Sequence, residues 1–425
     1  MINQRSVQAV NASALNERFG KPLYASYSFA QIPPTVEYLL TGAGASGLPS
    51  DVLGDLPTQY DKVILCFIDA FGWRFLERYA DKYPFLKRFF DQGVVSKLTT
   101  QFPSTTSAHT ITIHTGLPNG ISGIYEWFMY EPKVDRLIAP LLYSFMGDKE
   151  RNSLRRSGLP PEAFFPTTNV YQRLNEANVA SSVFQSMSFT PSPVSDVICK
   201  GATVVPFRTL SEGLTELVLA ITNQPGKGYY YLYFDGIDTI GHHRGPSSPH
   251  FDAEVDSFLR TMDSLLYQAL AGKVKNTLLL ITADHGQIEV SPERLTNLRL
   301  VAPEIAAFSR LNKRGEPLLP AGSARDMFLH IKPEHIDEAE ALLQRVLGDK
   351  AEIYRTQTLI DQNFFAAQPV SDAFLKRVGN LVILPHKYEQ VWWLEPVNDY
   401  PAFRGHHGGL TREEMETILL ALPLG

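Results

Sequence analysis

Cysteine is nearly absent from this chain: 425 residues contain two, Cys66 and Cys199, far apart in the sequence. Neither stands in a Cys-x-x-Cys or related spacing, which excludes a thiolate metal site and a disulfide framework. Cys66 falls inside the apolar run Val63-Ile-Leu-Cys-Phe-Ile68, where a buried, inert thiol is expected. Long apolar runs are also missing. No stretch approaches the length needed to span a bilayer, and the N-terminal Met-Ile-Asn-Gln-Arg-Ser-Val-Gln-Ala-Val lacks the apolar core of a secretory leader. Nor is there an excess of basic charge. A formal net charge of −6 and a pI near 6.0 leave no electrostatic footprint for a nucleic-acid polymer or an anionic membrane surface. These absences place the expected protein in the cytoplasm, with neither of those partners. Repeats and low-complexity tracts are absent as well.

What remains is ordinary globular composition, 44% hydrophobic and 20% charged. The length suffices for a large core built from two or three units. Residues 1–60 read as a lead-in packed on the core, with Pro33-Pro34 and Gly42-Ala-Gly-Ala-Ser-Gly47 as loops. From residue 61 the pattern is α/β. Val63–Ile68 predicts a buried strand, followed by one amphipathic helix carrying Phe75, Leu76, Tyr79, Tyr83, Leu86 and Phe90. Val94–Leu98 predicts a second strand, leading through Phe102-Pro-Ser-Thr-Thr106 into a short helix that stops at Gly116. Another strand is expected between Val179 and Ser188.

The clearest unit runs from 229 to 286. Tyr229–Phe234 reads as a strand, Asp235–Pro249 as a polar loop, and Val255, Phe258, Leu259, Met262, Leu265, Leu266 and Ala269 as the apolar stripe of a helix closed by Gly272. The Leu278 strand then runs to Asp284. A strand–helix–strand unit at this spacing calls for a largely parallel sheet. Residues 300–395 read as an inserted α+β subdomain, with strands at Asp326–Ile331 and Ala351–Tyr354 around a helix over Pro333–Leu347. The core, 61–299, resumes at 396–425 with a capping box at Thr411–Glu414.

Five segments deliver reactive groups. A strand buried on both faces has no packing reason to end in Asp284-His285-Gly286, but open α/β sheets do place ligand groups at the carboxyl ends of their strands. Asp69 ends another strand, Asp238 and His242 flank Thr-Ile-Gly, and His406 and His407 lie between glycines. Singly, each has a plain structural explanation: a helix N-cap, a polar loop, a solvated histidine. The fifth segment, Phe102-Pro-Ser-Thr-Thr-Ser-Ala-His109, puts hydroxyls at a helix start. Such hydroxyls are commonly N-caps, yet the free N–H groups there also attract phosphate, and a hydroxyl held against a metal can attack phosphorus. His109 and His114 on that helix read as packing or supporting groups. Together the Asp, His and Thr groups suffice for two divalent metals about 4 Å apart, which can clamp both the attacking and the leaving oxygens of an in-line phosphoryl displacement. Mixed Asp/His ligands favour zinc over manganese or iron.

The set resembles the alkaline phosphatase superfamily and, more narrowly, the type I phosphodiesterase/nucleotide pyrophosphatase family. The resemblance rests on Ile68-Asp-Ala-Phe-Gly72, Phe102-Pro-Ser-Thr-Thr106 with Thr115-Gly-Leu117 and Ser122-Gly-Ile124, Asp238-x-x-Gly-His242 with Gly245-Pro246, Asp284-His-Gly286 and Gly405-His-His-Gly408. It covers roughly 61–290 and 400–425. It implies an alkaline phosphatase-like, largely parallel sheet flanked by helices on both faces. It further implies one zinc on Asp238, His242 and His407 and another on Asp69, Thr106, Asp284 and His285. Thr106 would be the nucleophile, with Thr105 its rival, forming a phospho-threonine that a metal-bound water then hydrolyses.

Two positions depart from the family pattern. Ser107 stands where nucleotide-cleaving members carry an aromatic that stacks on the base, and Trp127 where they carry an asparagine that helps hold the phosphoryl oxygen. The expected activity is a metal-dependent hydrolase of phosphodiesters or pyrophosphates, taking a small phosphate ester, possibly a nucleotide. The same site would serve a phosphomonoesterase or phosphonate hydrolase. A non-catalytic metal- or nucleotide-binding protein would have to have lost a ligand or the nucleophile, and neither is missing. A sulfatase would need a cysteine near 102–109, and a phosphoglycerate mutase would carry serine as nucleophile.

Overall fold

Side chains of the strand Lys62–Ile68 alternate between two buried clusters, Val63, Leu65 and Phe67 on one side and Ile64, Cys66 and Ile68 on the other. Tyr229 and Tyr231 against Tyr230 and Leu232, and Leu278 and Leu280 against Leu279 and Ile281, repeat the pattern. A strand buried on both faces must be covered on both faces, which is why an unbroken apolar run, not an alternating one, marks it in the sequence. Each such burial contributes roughly 1.5–3 kcal/mol. The computed structural model describes residues 1–366, 369–394 and 402–425.

A seven-stranded sheet forms the centre, in the order Val94–Thr99, Glu416–Leu424, Thr277–Thr282, Lys62–Ile68, Gly228–Phe234, Ala180–Ser186, Thr203–Phe207. All its pairings are parallel except those of Glu416–Leu424, which lies antiparallel to both neighbours. The sheet is therefore largely parallel, as the spacing predicts. Helices Ile32–Thr41, Thr106–Thr115 and Val170–Glu176 cover one face, and Trp73–Tyr79, Pro84–Gln92, Leu210–Asn223 and Pro249–Thr261 the other. Among the described residues, no helix is long and apolar enough to cross a membrane.

Beyond residue 300, an antiparallel sheet of Ala321–Ser323, Asp326–Leu329, Leu381–Pro385 and Ala351–Arg355 packs its helix Ile336–Leu347 over a third buried cluster. The junction expected at 395/396 lies outside the described residues. A further small sheet, Met129–Glu131, Arg136–Ala139 and Ser144–Phe145, follows directly on Trp127 and Phe128.

Three local expectations are corrected. Pro33 and Pro34 do not mark a loop: they occupy the first turn of Ile32–Thr41, where a missing N–H costs nothing. The single helix expected after the first strand is two, because Pro84 cannot continue Trp73–Tyr79 and instead starts Pro84–Gln92. The supposed polar loop after Phe234 contains the helix Gly236–Arg244. Its Asp238 lies in the first turn and His242, His243 and Arg244 in the last, charges that suit the helix dipole. Gly245, at φ 89°, ends it in a conformation that other residues resist.

Candidate metal centre

Parallel register brings three chain segments to one sheet edge. Ile68 is paired with Phe234 and Phe67 with Thr282, so Asp69, the helix after Phe234 and Asp284-His285 all emerge together. The helix Thr106–Thr115 begins beside them, and the pairing of Ile288–Glu289 with Gly405–His406 carries His407 to the same place. Gly286 is required by close approach: a Cβ there would lie 2.1 Å from the Glu413 carbonyl oxygen. Gly286→Ala is expected to lower the melting temperature, with ΔΔG of about 1–3 kcal/mol or more from overpacking; scanning calorimetry of the variant checks it.

The first group of side chains is Asp69, Thr106, Asp284 and His285. His285 Nε2 lies 3.3 Å from Asp69 Oδ1, 3.3 Å from Asp284 Oδ2 and 3.2 Å from Thr106 Oγ1. Asp284 Oδ1 accepts the backbone N–H groups of Ala70, at 3.1 Å, and of His285, at 3.0 Å. Tyr233 donates its hydroxyl proton to Asp69 Oδ2, and Thr106 Oγ1 stands 3.5 Å from that same oxygen. The second group is Asp238, His242 and His407. His242 Nε2 is 3.3 Å from Asp238 Oδ2 and 3.1 Å from His407 Nε2, which is 3.7 Å from Asp238 Oδ1. The helix places Asp238 and His242 one turn apart on one face, not across a loop. The groups adjoin, with the rings of His285 and His407 stacked at 3.6 Å.

Whether these groups suit cations can be judged from their hydrogen bonds. Each of the three imidazoles has Nδ1 within reach of a backbone carbonyl: His242 to Gly405 at 2.8 Å, His407 to Ser104 at 2.9 Å and His285 to Gly286 at 3.0 Å. A proton on Nδ1 satisfies each carbonyl and leaves the Nε2 lone pair facing inward, the tautomer a metal takes. Two such lone pairs 3.1 Å apart repel unless a positive charge lies against them. Asp69 Oδ1 and Asp284 Oδ2 are buried without a hydrogen-bond partner, a costly state for a carboxylate. Burial and mutual repulsion push the Asp69 carboxyl well up, and burial pushes that of Asp284 up to about 7. Burial works against Asp238 too, but the imidazoles around it, His242 first, hold its carboxyl below the usual range. The donors fit divalent metals, and both Asp238 with His285 and His407, and Asp69 with Asp284 and His285, present ligand atoms within 4.8 Å of one another.

All seven side chains singled out in the sequence thus converge. Between the two rival threonines, Thr106 faces this cluster, while Thr105 is the N-cap residue before it and lies beside Glu126. Of the paired histidines, His407 joins the cluster, and His406 Nδ1 accepts the His407 amide N–H at 2.9 Å. His109 is a packing group, its Nε2 accepting from the Gln101 N–H at 2.9 Å, and His114 packs with its Nδ1 2.6 Å from the Tyr171 hydroxyl. Ser107 is fully buried in the helix.

Four residues near the site were not singled out in the sequence. Tyr233 is one of several tyrosines on its strand. Gln287 donates to Asp238 Oδ1 at 2.6 Å, and its position directly after Asp-His-Gly could have been suspected. Glu126 and Asp326 are a buried carboxyl pair from distant parts of the chain; burial pushes both upward, Glu126 to about 7, and the charge of Glu126 raises Asp326 further.

Two cavities open onto the cluster. The larger, about 590 Å³, is lined by Thr105, Thr106, Asp238, His242 and His407 at its base and by Trp127, Trp392 and Phe403 among others above. The smaller, about 310 Å³, reaches Asp69, Thr106 and Asp238 past Tyr233, Gln185 and Arg151. Thr106, Trp127 and Asp238 border both.

Solved structures share this α/β fold, in which acidic and imidazole side chains gather at the carboxyl edge of the sheet. The chain superposes on murine ectonucleotide pyrophosphatase/phosphodiesterase 5 with a TM-score of 0.64 at 19% identity, covering 85% of this chain and 88% of the other. It also superposes on phosphonoacetate hydrolase from Sinorhizobium meliloti 1021 in complex with phosphonoformate, with a TM-score of 0.61 at 16% identity, covering 85% and 90%. The family profile for type I phosphodiesterase/nucleotide pyrophosphatase matches residues 63–409. The chain belongs to that family.

Among curated relatives, human ectonucleotide pyrophosphatase/phosphodiesterase family member 5 is 25% identical over 274 residues, 62% of this chain and 53% of that protein. Human bis(5'-adenosyl)-triphosphatase is 26% identical over 279 residues, 61% of this chain and 54% of that protein. The aligned region spans about half the length of these relatives.

Proposed function

We propose that the protein is a two-metal phosphoric ester hydrolase that prefers diesters and works through a phospho-threonine. The observation that carries this reading is that Asp69 and His285, with Asp284, meet the Thr106 hydroxyl, while Asp238, His242 and His407 adjoin them. Asp238, His242 and His407 would hold one metal, and Asp69, Thr106, Asp284 and His285 the other, with zinc favoured by the mixed ligand set. Bound there, the metals supply positive charge that lowers the pKa of a hydroxyl and offsets charge on phosphoryl oxygens.

The chain's own residues do the rest. Carbonyls of Gly405, Ser104 and Gly286 fix the ring orientation and tautomer of His242, His407 and His285. Tyr233 orients Asp69 by its hydrogen bond. Thr106 is the first residue of its helix, so free backbone N–H groups of the first turn lie beside its oxygen and favour a bound phosphoryl group. Its Oγ1 attacks phosphorus, the bond from phosphorus to the departing alcohol oxygen breaks, and that oxygen takes up a proton. Water then displaces Thr106 from phosphorus and releases the phosphomonoester.

The diester preference is supported by the two cavities that meet at Thr106, since a diester has two substituents to place and a monoester one. Human bis(5'-adenosyl)-triphosphatase, a relative by sequence, is named for a substrate with groups on both sides of its phosphates. The structural likeness to phosphonoacetate hydrolase keeps a second reading, phosphonate cleavage on the same site.

Aryl phosphate mono- and diesters and phosphonoacetate, assayed side by side with zinc and after chelation, test the proposal. Diester hydrolysis at least about tenfold faster in kcat/KM is expected, equivalent to one substituent's worth of binding, about 1.4 kcal/mol. Chelation is expected to abolish it and zinc to restore it. Turnover of none of them, or activity indifferent to chelator, would sink the reading.

A further inference from the structure

We propose that the larger cavity holds a hydrophobic alcohol, the ester substituent of the substrate, and not a nucleoside. This rests on the hydrolase reading and names what that site selects. The wall is built by segments outside the metal cluster: Trp127 and Phe128 before the small antiparallel sheet, Leu319 and Trp392 from the part of the chain beyond residue 300, and Phe403. Trp392 ends the short strand Gln390–Trp392, which pairs with Leu295–Asn297 and is held in the third buried cluster. At about 590 Å³ the space far exceeds a phosphoryl group and matches a small organic molecule.

A nucleobase is recognised by polar groups matched to its edge, and the polar side chains on this wall are few. Glu126 is fully buried and accepts the backbone N–H of Trp127 through Oε2, which leaves Oε1 as a single unpartnered acceptor. Ser323 donates its hydroxyl to Asp326 at 2.5 Å. Lys149 also lines the cavity but is an exposed residue at its rim. The position next to the nucleophile offers no stacking surface either, because Ser107 is fully buried. What the wall presents in quantity is aromatic and aliphatic surface, which rewards burial of apolar area over hydrogen-bonded recognition.

The test uses p-nitrophenyl phosphodiesters whose second group is methyl, phenyl or thymidine-5'. Wild type is expected to favour phenyl over methyl by about ten- to a hundredfold in kcat/KM, the return for burying one aromatic ring, and over thymidine-5' as well. In Trp392→Ala and, separately, Trp127→Leu, the phenyl-to-methyl ratio falls towards one, chiefly through KM. The ratio is read on a single preparation, so partial unfolding cancels from it. A preference for thymidine-5', or an unchanged ratio in both variants, would overturn the inference. If zinc-loaded enzyme turns over none of the three, the hydrolase reading fails instead. The cavity is then tested by calorimetry, with phenylphosphonate expected to bind Thr106→Ala about tenfold or more tighter than methylphosphonate and equal affinities overturning it.

Discussion

Thr106→Ala is expected to lower kcat on an aryl phosphodiester by at least about 10⁴-fold, the scale on which loss of a catalytic nucleophile acts, and to leave the fold intact. The two halves of that expectation have separate causes. Thr106 is 8% exposed at the floor where both cavities meet, so the missing hydroxyl and methyl leave space that is continuous with the cavities, not a sealed void. Its Oγ1 caps nothing: the N-cap residue is Thr105, and that side chain makes no capping bond. Stability should therefore change by less than about 1 kcal/mol, as for a residue outside any packing or capping role. Thr105→Ala is the control, since Thr105 carries the same hydroxyl one position earlier, beside Glu126. It should keep activity within about tenfold, a change of about 1.4 kcal/mol in the barrier. Intact mass of enzyme quenched during turnover should show one added phosphoryl group in wild type and none in Thr106→Ala. Retention of more than about a tenth of the activity by Thr106→Ala would remove Thr106 as the nucleophile.

The legible parts of this protein were those written as contiguous text. Asp284-His285 stood out because two polar residues ended an apolar run, and both the strand and its carboxyl-end placement follow from that contrast. The i, i+4 spacing of Asp238 and His242 was legible as a shared site, but its secondary structure was misread. Two glycines and adjacent polar residues mimic a loop, while the helix there is held from outside: Gly241 lets Gln287 pass close by, and Gln287 binds Asp238. Pro33-Pro34 misled for a related reason, since proline breaks a helix everywhere except at its start.

Tyr233, Glu126 and Asp326 could not be singled out. Their roles come from pairing across long sequence separations, and nothing local distinguishes Tyr233, which reaches the Asp69 carboxylate, from Tyr231, which packs. The aromatic cavity wall was legible only in part. Trp127 was noticed as a departure from the family pattern, but its neighbourhood with Trp392 is set by tertiary structure alone.

Arg325 was not marked by any motif, and its removal is expected to produce the largest stability loss in the chain. It is wholly buried, and so is Glu414, with Nε to Oε1 at 3.0 Å and Nη2 to Oε2 at 2.9 Å in a bidentate pair. Nη1 is also spent, on the carbonyls of His386 and Glu389. Glu414 in turn accepts the N–H of Gly409 at 3.0 Å and the hydroxyl of Thr411 at 2.6 Å, so the pair anchors the turn directly after His407. That turn is bonded to Ser104 as well, through Gly408 N–H at 3.2 Å and the Gly409 carbonyl at 2.8 Å.

Arg325→Met strands the Glu414 charge in the interior and should cost about 3–5 kcal/mol. Adding Glu414→Gln should recover part of this, because the amide oxygen can still accept from Gly409 and the amide NH2 can donate to the Thr411 hydroxyl, without the uncompensated charge. The pH dependence follows from the direction of the shift. Burial opposes ionisation of Glu414, yet Arg325 holds its carboxyl below the ordinary value, so in wild type the pair stabilises the fold above the unfolded carboxyl's pKa and that contribution is lost as pH falls through the folded one. Without Arg325, burial is opposed only by the hydrogen bonds from Thr411 and Gly409, so the folded pKa rises and the variant is penalised more at neutral pH than in acid. The deficit of Arg325→Met against wild type should therefore shrink on acidification. Urea unfolding of the two proteins at neutral and mildly acidic pH measures it, and a deficit that is constant or grows with acid would show that the lost interaction is packing and not charge. Because His407 sits at the end of the anchored turn, the same variant should also bind zinc more weakly, which a competition titration with a chromophoric chelator reads independently of stability.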